Sequence, residues 1–364
     1  MSKIVIDARE SGTTTGRYTD KMVEHMHQLG TKHEIVLLAK SHRKNYYRDV
    51  APSFKVVVTP FKEFTFGEQL GFKQQLESLR PDLVHFGMVQ QPVRYKGRVV
   101  TTIHDLTTMR FRNPAKNSVV FTIKQQVYKW VIKKAARKSA RIIVPTAFVK
   151  QDVQHYTGIA ADKITVTPES ADKIIEVPEA YEPAAGKQFL LFVGRPMPHK
   201  NLERLMQALQ LLKKANPHLF LVLAGKNDAA YELLKQFAAE KGIADVIFTD
   251  WVTEGQLRWL YEHALAYVFP SLSEGFGLPG LEAMHYDLPV ISSNATCLPE
   301  VYGEAALYFD PLDVEAMART IATVISDEKL RARLAAAGRA QIAKYSWRRM
   351  AEQTLAVYEA ALKA

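Results

Sequence analysis

The sequence predicts an α/β protein made of two successive open-sheet halves. Three observations carry that prediction. Short apolar runs alternate with helical patterns twice over, and a Pro- and Glu-rich stretch, EVPEAYEPAAGKQ at 176–188, interrupts the alternation once. Alternation of this kind argues for parallel strands with helices on both faces. A chain of 364 residues also suits two domains, at roughly 150 residues each.

In the first half, Ile4–Ile6 reads as a strand, SGTTTG at 11–16 as a loop, and Tyr18, Met22, Met26 and Leu29 mark one face of a helix. Ile35–Leu38, Lys55–Val58, Leu83–Phe86, Val99–Ile103 and Arg141–Val144 are further short strands. The second half restarts with QFLLFVG at 188–194 and a helix over 201–214. LFLVLAG (219–225), a helix over 229–241, VIFTDWV (246–252), a helix over 255–263, AYVFP (266–270) and PVISS (289–293) follow. The chain ends in a helix that Ser346 caps, with Trp347, Met350, Thr354, Val357 and Tyr358 as its apolar stripe. The expected domains are 1–183 and 184–346, with 347–364 as a separate closing helix. If the carboxyl ends of the two sheets face each other, the cleft between them is the natural ligand site.

Hydrophobic content of 47% and charged content of 24% fit a soluble globular protein and exclude bulk disorder. The one cysteine, Cys297, rules out an intrachain disulfide and fits a reducing cytoplasm. MSKIVIDARE lacks the apolar length of a signal peptide, and no run reaches the ~20 apolar residues of a spanning helix.

The net charge of +10 is concentrated. No acidic residue occurs between Asp105 and Asp152, whereas Arg110, Arg112, Lys116, Lys124, Lys129, Lys133, Lys134, Arg137, Lys138, Arg141 and Lys150 all fall there. Val120, Ile123, Val127, Trp130 and Val131 form an apolar stripe. Lys129, Lys133, Arg137 and Arg141, at four-residue spacing, form a cationic one. The segment is either a packed helix with a solvated face or a dock for anionic lipid headgroups. In the second case Lys124, Lys129, Lys133 and Arg137 would each contribute ~1 kcal/mol. No nucleic-acid-binding signature accompanies it, so nucleic acid is not expected as a partner.

Four stretches hold chemistry. In FVGRPMPHKN (192–201), a strand ends at Gly194, and Arg195 and Lys200 approach a helix start together. Two permanent cations there suit a diphosphate, or they are solvated surface residues. In SLSEGFGLPGLEAM (271–284), Glu274 lies in the loop, Gly275 and Gly277 permit a tight bend, Pro279 opens a helix and Glu282 sits in its first turn. Each glutamate alone has a bland reading, one as a loop carboxylate and the other as a dipole-stabilising residue. In TTIHDLTTMRF (101–111), His104 and Asp105 end a strand, poised for catalysis or merely capping. SGTTTGRYTD (11–20) offers Gly12, Thr13 and Gly16 after the first strand, without the spacing of a dinucleotide fingerprint. No metal ligand set is expected. There is no DxD triplet, and His25 and His27 point to different helix faces.

FVGR-x4-KN, SLSEGFGLPGLEAM and LPVISSNATCLPEVYGEAALYFDP together resemble the retaining glycosyltransferases of family 4 over nearly the whole chain. The Glu-x7-Glu signature from Glu274 to Glu282 is the strongest part. The resemblance implies the GT-B fold, two Rossmann-like domains facing each other across a cleft, with the 347–364 helix packing back on the first. It implies that domain 1–183 binds the acceptor and domain 184–346 the nucleotide sugar. Arg195 and Lys200 would hold the donor diphosphate, and Glu282 the ribose hydroxyls. Glu274 and the backbone of Gly194, Gly275, Phe276, Gly277 and Leu278 would face the donor. His104 would lie near the transferred sugar, and Gly12, Thr13 and Gly16 would cover the diphosphate or shape the acceptor pocket.

The resemblance also implies chemistry without a cofactor or metal, by a same-face mechanism in which Glu274 is not a covalent nucleophile. The look is nearest to bacterial surface-polysaccharide mannosyltransferases. The expected donor is GDP-mannose, the acceptor a lipid-linked or polysaccharide glycan, and the location the cytoplasm or the inner face of the cell membrane. The alternatives are a UDP-sugar transferase for glucose or N-acetylglucosamine, and a nucleotide-sugar epimerase of the same fold. Two stretches depart from the family. TPESADK (167–173) replaces a Gly-x-Asp turn, and HYDLPV (285–290) puts His285 and Tyr286 where small residues are common. Both are expected to tune donor or acceptor.

Overall fold

A computed structural model describes residues 1–111 and 118–364, without the side chains of 118–121 and 123. Arg112 and Lys116 of the basic segment lie outside the described residues. The chain forms two compact units. One contains Met1–Met109, Ile123–Glu169 and Ser346–Ala364; the other contains Ser170–Tyr345 and the described residues of Arg110–Thr122. The stretch 170–183, assigned by sequence to the first half, thus packs with the second.

The first unit holds seven strands: β1 (Lys3–Asp7), β2 (Glu34–Ala39), β3 (Lys55–Val58), β4 (Leu83–Phe86), β5 (Val99–Thr102), β6 (Arg141–Val144) and β7 (Ile164–Val166). Their order is β3-β2-β1-β4-β5-β6-β7, and every pairing is parallel. The central strands read as unbroken apolar runs because both faces are covered. Ile4, Val5, Ile6, Leu83 and Val84 are fully buried. The helix Arg17–Leu29 buries Tyr18, Met22, Val23 and Met26 and packs against the final helix, Trp347–Lys363. Ser346 caps that final helix by accepting from the Arg349 amide. Beneath β1 lies a buried ionic triad. Arg9 reaches Asp7 at 2.7 Å and Glu68 at 2.8 Å, with its guanidinium 3.8 Å above the Phe72 ring.

The second unit holds β8 (Gln188–Val193), β9 (Leu219–Ala224), β10 (Val246–Phe248), β11 (Ala266–Phe269), β12 (Val290–Ser293) and β13 (Ala306–Phe309). Their order is β10-β9-β8-β11-β12-β13, again all parallel. Phe189, Leu190, Leu191 and Phe192 are fully buried, each worth ~1.5–3 kcal/mol of apolar burial. β7 and β13 were not anticipated. They are edge strands of three and four residues, too short for periodicity to reveal.

In each unit the strand order reverses direction at one place, between β1 and β4 in the first and between β8 and β11 in the second. Chains leaving the carboxyl ends of two such strands diverge to opposite sides and leave a crevice. The loops after β8 and β11 are FVGRPMPHKN and SLSEGFGLPG, and the loop after β1 carries SGTTTG.

Candidate active site

The second unit brings the two strongest motifs together. Lys200 Nζ lies 2.6 Å from Glu274 Oε1, with the two side chains only 17% and 13% exposed. The clasp is backed by backbone contacts. The Leu272 amide donates to the His199 carbonyl at 2.7 Å. Asn201 adopts a left-handed φ of 59° at the start of the helix Leu202–Lys213. Its side-chain amide donates to the carbonyls of Pro270, at 3.1 Å, and Pro311, at 2.7 Å. Asparagine tolerates that backbone region and carries two donors, so one residue ties three loops. Its part as a brace was not legible from KN alone.

Arg195 does not join this pair. It is 65% exposed and pairs with Asp228 at 2.7 Å. Asp228 also caps the helix Ala229–Glu240 through the Ala230 and Tyr231 amides. Burial alone would raise the Asp228 pKa; the capping amides and Arg195 outweigh it and hold the carboxyl below its usual range. Glu282 accepts from the Tyr261 hydroxyl at 3.1 Å. Tyr261 stacks on Tyr286, whose hydroxyl accepts from the Ile174 amide at 2.7 Å. His285 Nε2 lies 3.2 Å from the Ala171 carbonyl. The departing residues His285 and Tyr286 therefore brace the 171–174 segment.

The glycines of the motif answer to packing as well as to backbone freedom. Gly277 has a φ of 104°, and a Cβ there would lie 2.5 Å from the Tyr302 hydroxyl. A Cβ at Gly280 would lie 2.4 Å from the same ring. Tyr302 cannot retreat, being buried and donating to the Gly277 carbonyl at 2.6 Å. Gly280→Ala should cost about 1–3 kcal/mol by overpacking, read as a lower unfolding midpoint in urea. An unchanged midpoint would show that Tyr302 yields. Phe276 is buried with its ring edge-on to Tyr345 at 5.3 Å.

In the first unit, His104 follows β5 and is 22% exposed. Its Nδ1 lies 2.9 Å from Glu169 Oε1 and its Nε2 2.9 Å from the Gly87 carbonyl. Asp105 instead turns back to accept from the Thr107 amide at 2.7 Å. Glu169 was missed as a site residue; it comes from the TPESADK departure, and only folding brings it to His104. The 11–16 loop is organised by Asp20, which accepts from Ser11, the Gly12 amide, Arg43 and Tyr47. Gly12 has a φ of 79°, and a Cβ at Gly16 would lie 1.8 Å from the Glu10 carbonyl. Thr13 is exposed and bonds the Glu10 carbonyl at 2.7 Å and the Gly16 amide at 3.0 Å. Beside this loop lies a cavity of about 10 Å³, lined by Asp7, Arg9, Glu10, Thr15, Thr19, Glu63, Gly87 and Met88. Arg9 Nη1 is buried with no hydrogen-bond partner.

The basic segment is the helix Ser118–Lys138. Among its described side chains, the buried ones are Val131, Ile132, Ala135 and Ala136. Val127 and Trp130, read by sequence as part of one apolar stripe with Val131, are instead 55% and 49% exposed. The side chains of Val120 and Ile123 lie outside the described residues. Lys124, Lys133 and Arg137 are exposed, and Lys129 is half-buried. Lys138 turns inward to the Pro92 carbonyl at 2.8 Å, and burial lowers its pKa to about 8. Among the described residues, no helix is long and apolar enough to cross a membrane.

Residues 15–173 match the family described as Glycosyltransferase Family 4, and residues 174–341 match Glycosyl transferases group 1. O-antigen chain mannosyltransferase B of Escherichia coli is 31% identical over 277 residues, covering 72% of this chain and 70% of the relative. The chain belongs to the family 4 glycosyltransferases. The serotype-specific mannosyltransferase WbdA of Escherichia coli is 35% identical over 212 residues. That match covers 54% of this glycosyltransferase and 26% of WbdA, about a quarter of the longer protein. Among solved structures, sucrose-phosphate synthase of Thermosynechococcus elongatus superposes with a TM-score of 0.77 at 17% identity, over 99% and 98% of the two chains. Anabaena HepE, solved with UDP-glucose, superposes with a TM-score of 0.74 at 16% identity, over 99% and 100%. At such identity the likeness is one of fold, and that fold is GT-B.

Proposed function

We propose that this glycosyltransferase moves mannose from GDP-mannose to a hydroxyl of a lipid-linked or polysaccharide glycan, with retention and without a metal. The observation that carries the reading is the Lys200–Glu274 clasp at the carboxyl edge of β8 and β11. An arriving diphosphate competes for Lys200 and frees the Glu274 carboxylate for hexose hydroxyls. Arg195, already solvent-facing, adds the second cation, and Glu282 takes the ribose hydroxyls. Two fixed cations stabilise the charge that builds on the departing diphosphate, which is the work a metal would otherwise do. The C1–phosphate bond breaks, the acceptor oxygen bonds C1 on the same face, and its proton passes to the leaving phosphate oxygen.

The donor assignment rests on the mannosyltransferase relatives. The acceptor assignment draws on the cavity beside the 11–16 loop. It has room for one water-sized group, such as a sugar hydroxyl. Its carboxylates Asp7, Glu10 and Glu63 outnumber the one arginine lining it, which favours a neutral polyol over a phosphate.

A donor panel of GDP-mannose, UDP-glucose and UDP-N-acetylglucosamine, with a lipid extract or oligomannoside acceptor, tests this reading. Release of GDP only with acceptor present, an α-linked product by NMR and an unchanged rate in EDTA are expected. Turnover of a UDP-sugar in place of GDP-mannose overturns the donor; consumption of a UDP-sugar without acceptor indicates epimerisation. An inverted product overturns retention, and loss of rate in EDTA overturns metal independence.

The helix Ser118–Lys138 supports an inner-membrane-surface location, because exposed Val127 and Trp130 accompany its cations. Binding to phosphatidylglycerol vesicles should weaken with added salt and with Lys129, Lys133 and Arg137 changed to Gln. Binding indifferent to both would leave the helix as a solvated face.

A further inference from the structure

His104 stands out because both its ring nitrogens meet acceptors. The Gly87 carbonyl at Nε2 can only accept, so Nε2 carries a hydrogen. At Nδ1 the partner is the carboxyl of Glu169, itself only 6% exposed. The remaining proton is shared between an imidazole and a carboxyl group. A 2.9 Å approach of Nδ1 to a carboxylate oxygen calls for a hydrogen between them, so the geometry fits a ring that donates from both nitrogens.

The neighbours agree with a charged ring. Tyr18 presents its ring at 4.8 Å, nearly perpendicular, and its hydroxyl pairs with Thr102 at 3.2 Å. His85 shares that Thr102 hydroxyl at 2.9 Å and is held neutral, because burial pushes its pKa down to about 3. The charged groups acting on His104 are Glu169 and Asp105, both acidic. Burial alone would lower the His104 pKa; the Glu169 hydrogen bond and charge, the Gly87 carbonyl and Asp105 together raise it above the ordinary 6.5.

We propose that Glu169 is a positioning residue that keeps His104 an imidazolium, so that His104 serves the transfer as a fixed positive charge and not as the base that accepts the acceptor's proton. The proposal rests on the reading of His104 as lying near the transferred sugar. A doubly protonated ring has no lone pair to offer an acceptor hydroxyl. It can stabilise negative charge on the leaving group, and that contribution ends when the ring deprotonates. The predicted pH dependence is therefore opposite in sign to that of a histidine base. Activity is full below the raised pKa and falls as pH rises through it, whereas a base would lose activity on the acid side.

Two measurements on the full chain test this. The first is histidine ¹⁵N NMR without donor, with the His104 signals assigned by their loss in His104→Gln. At pH ~7 both ring nitrogens should be protonated, and Glu169→Gln should move the titration down by about one pH unit. The second is the transfer rate against pH, with whichever donor the panel identifies. It should fall on the alkaline side in the native protein, about one unit earlier in Glu169→Gln, and near the native position in Glu169→Asp. A merely structural Glu169 would change the rate at all pH values without moving the limb. A neutral His104 at pH ~7, or an alkaline limb that Glu169→Gln leaves in place, overturns the proposal. The NMR titration needs no turnover, so it stands apart from the donor assignment.

Discussion

Lys200→Ala is expected to lower kcat about 10²–10³-fold, and Glu274→Ala by a similar factor, with the fold intact in both. In the ligand-free protein these two side chains neutralise each other at 2.6 Å. In the proposed mechanism their roles separate only when donor binds, Lys200 to diphosphate and Glu274 to hexose. Lys200→Ala removes the cation that the leaving group needs and also leaves Glu274 unpaired in a site where it is 13% exposed. The Glu274 carboxylate would then face the donor phosphates directly, and donor affinity should fall along with kcat.

Glu274→Ala instead leaves Lys200 as an unpaired cation, which attracts the donor phosphates where an unpaired Glu274 would repel them. Donor affinity should hold or improve while kcat drops, a split visible in calorimetric binding against single-turnover rates. The double variant should lose less than the product of the two single losses, because the pair acts as one unit before donor arrives. Near-native rates in either single variant would remove the clasp from the mechanism. Strict multiplication of the two losses would show that the ion pair has no bearing on donor entry.

Much of this architecture is legible in the sequence because it is local. The strands β1, β2, β3, β4 and β6 follow from short apolar runs bounded by polar loops, and the helices after β8, β9 and β10 fall within a residue or two of their expected limits. The motif residues are likewise local: Arg195 with Lys200, and Glu274 with Glu282, each sit within one loop and its helix. What sequence could not supply is the partner of each. Lys200 and Glu274 are 74 residues apart, His104 and Glu169 65, Gly277 and Tyr302 25. No periodicity or spacing rule reaches across such separations. The glycines of SLSEGFGLPGLEAM read as backbone freedom, and only the fold adds Tyr302 as the reason a methyl group cannot fit at Gly280. In the basic helix, counting by three and four selected Val127 and Trp130 with Val131. Among the described side chains, the packed face lies a fraction of a turn further round, on Val131, Ile132, Ala135 and Ala136.

The largest effect on stability should come from Arg9→Met. Arg9 is 2% exposed and faces two carboxylates, Asp7 and Glu68, at 2.7 and 2.8 Å. Methionine keeps an apolar side chain over the Phe72 ring, so packing is largely preserved and the change isolates the charge. It leaves two buried carboxylates unpaired, which costs ~3–5 kcal/mol. Hydrogen exchange of the β1 amides reads that cost in the first unit by itself, and exchange at least ~10²-fold faster is expected at neutral pH.

The pH dependence fixes the cause. Even in the native protein, burial raises the Glu68 pKa, with Arg9 opposing the rise. Without Arg9 the folded-state pKa climbs further above the unfolded value, so the folded state binds the extra proton and stability falls as pH rises. The penalty should therefore shrink as pH is lowered and Glu68 takes up its proton. A deficit that does not change with pH would assign the loss to packing against Phe72. A restored exchange rate in Arg9→Met combined with Glu68→Gln and Asp7→Asn would show that the triad's charge, and not its shape, is what β1 depends on.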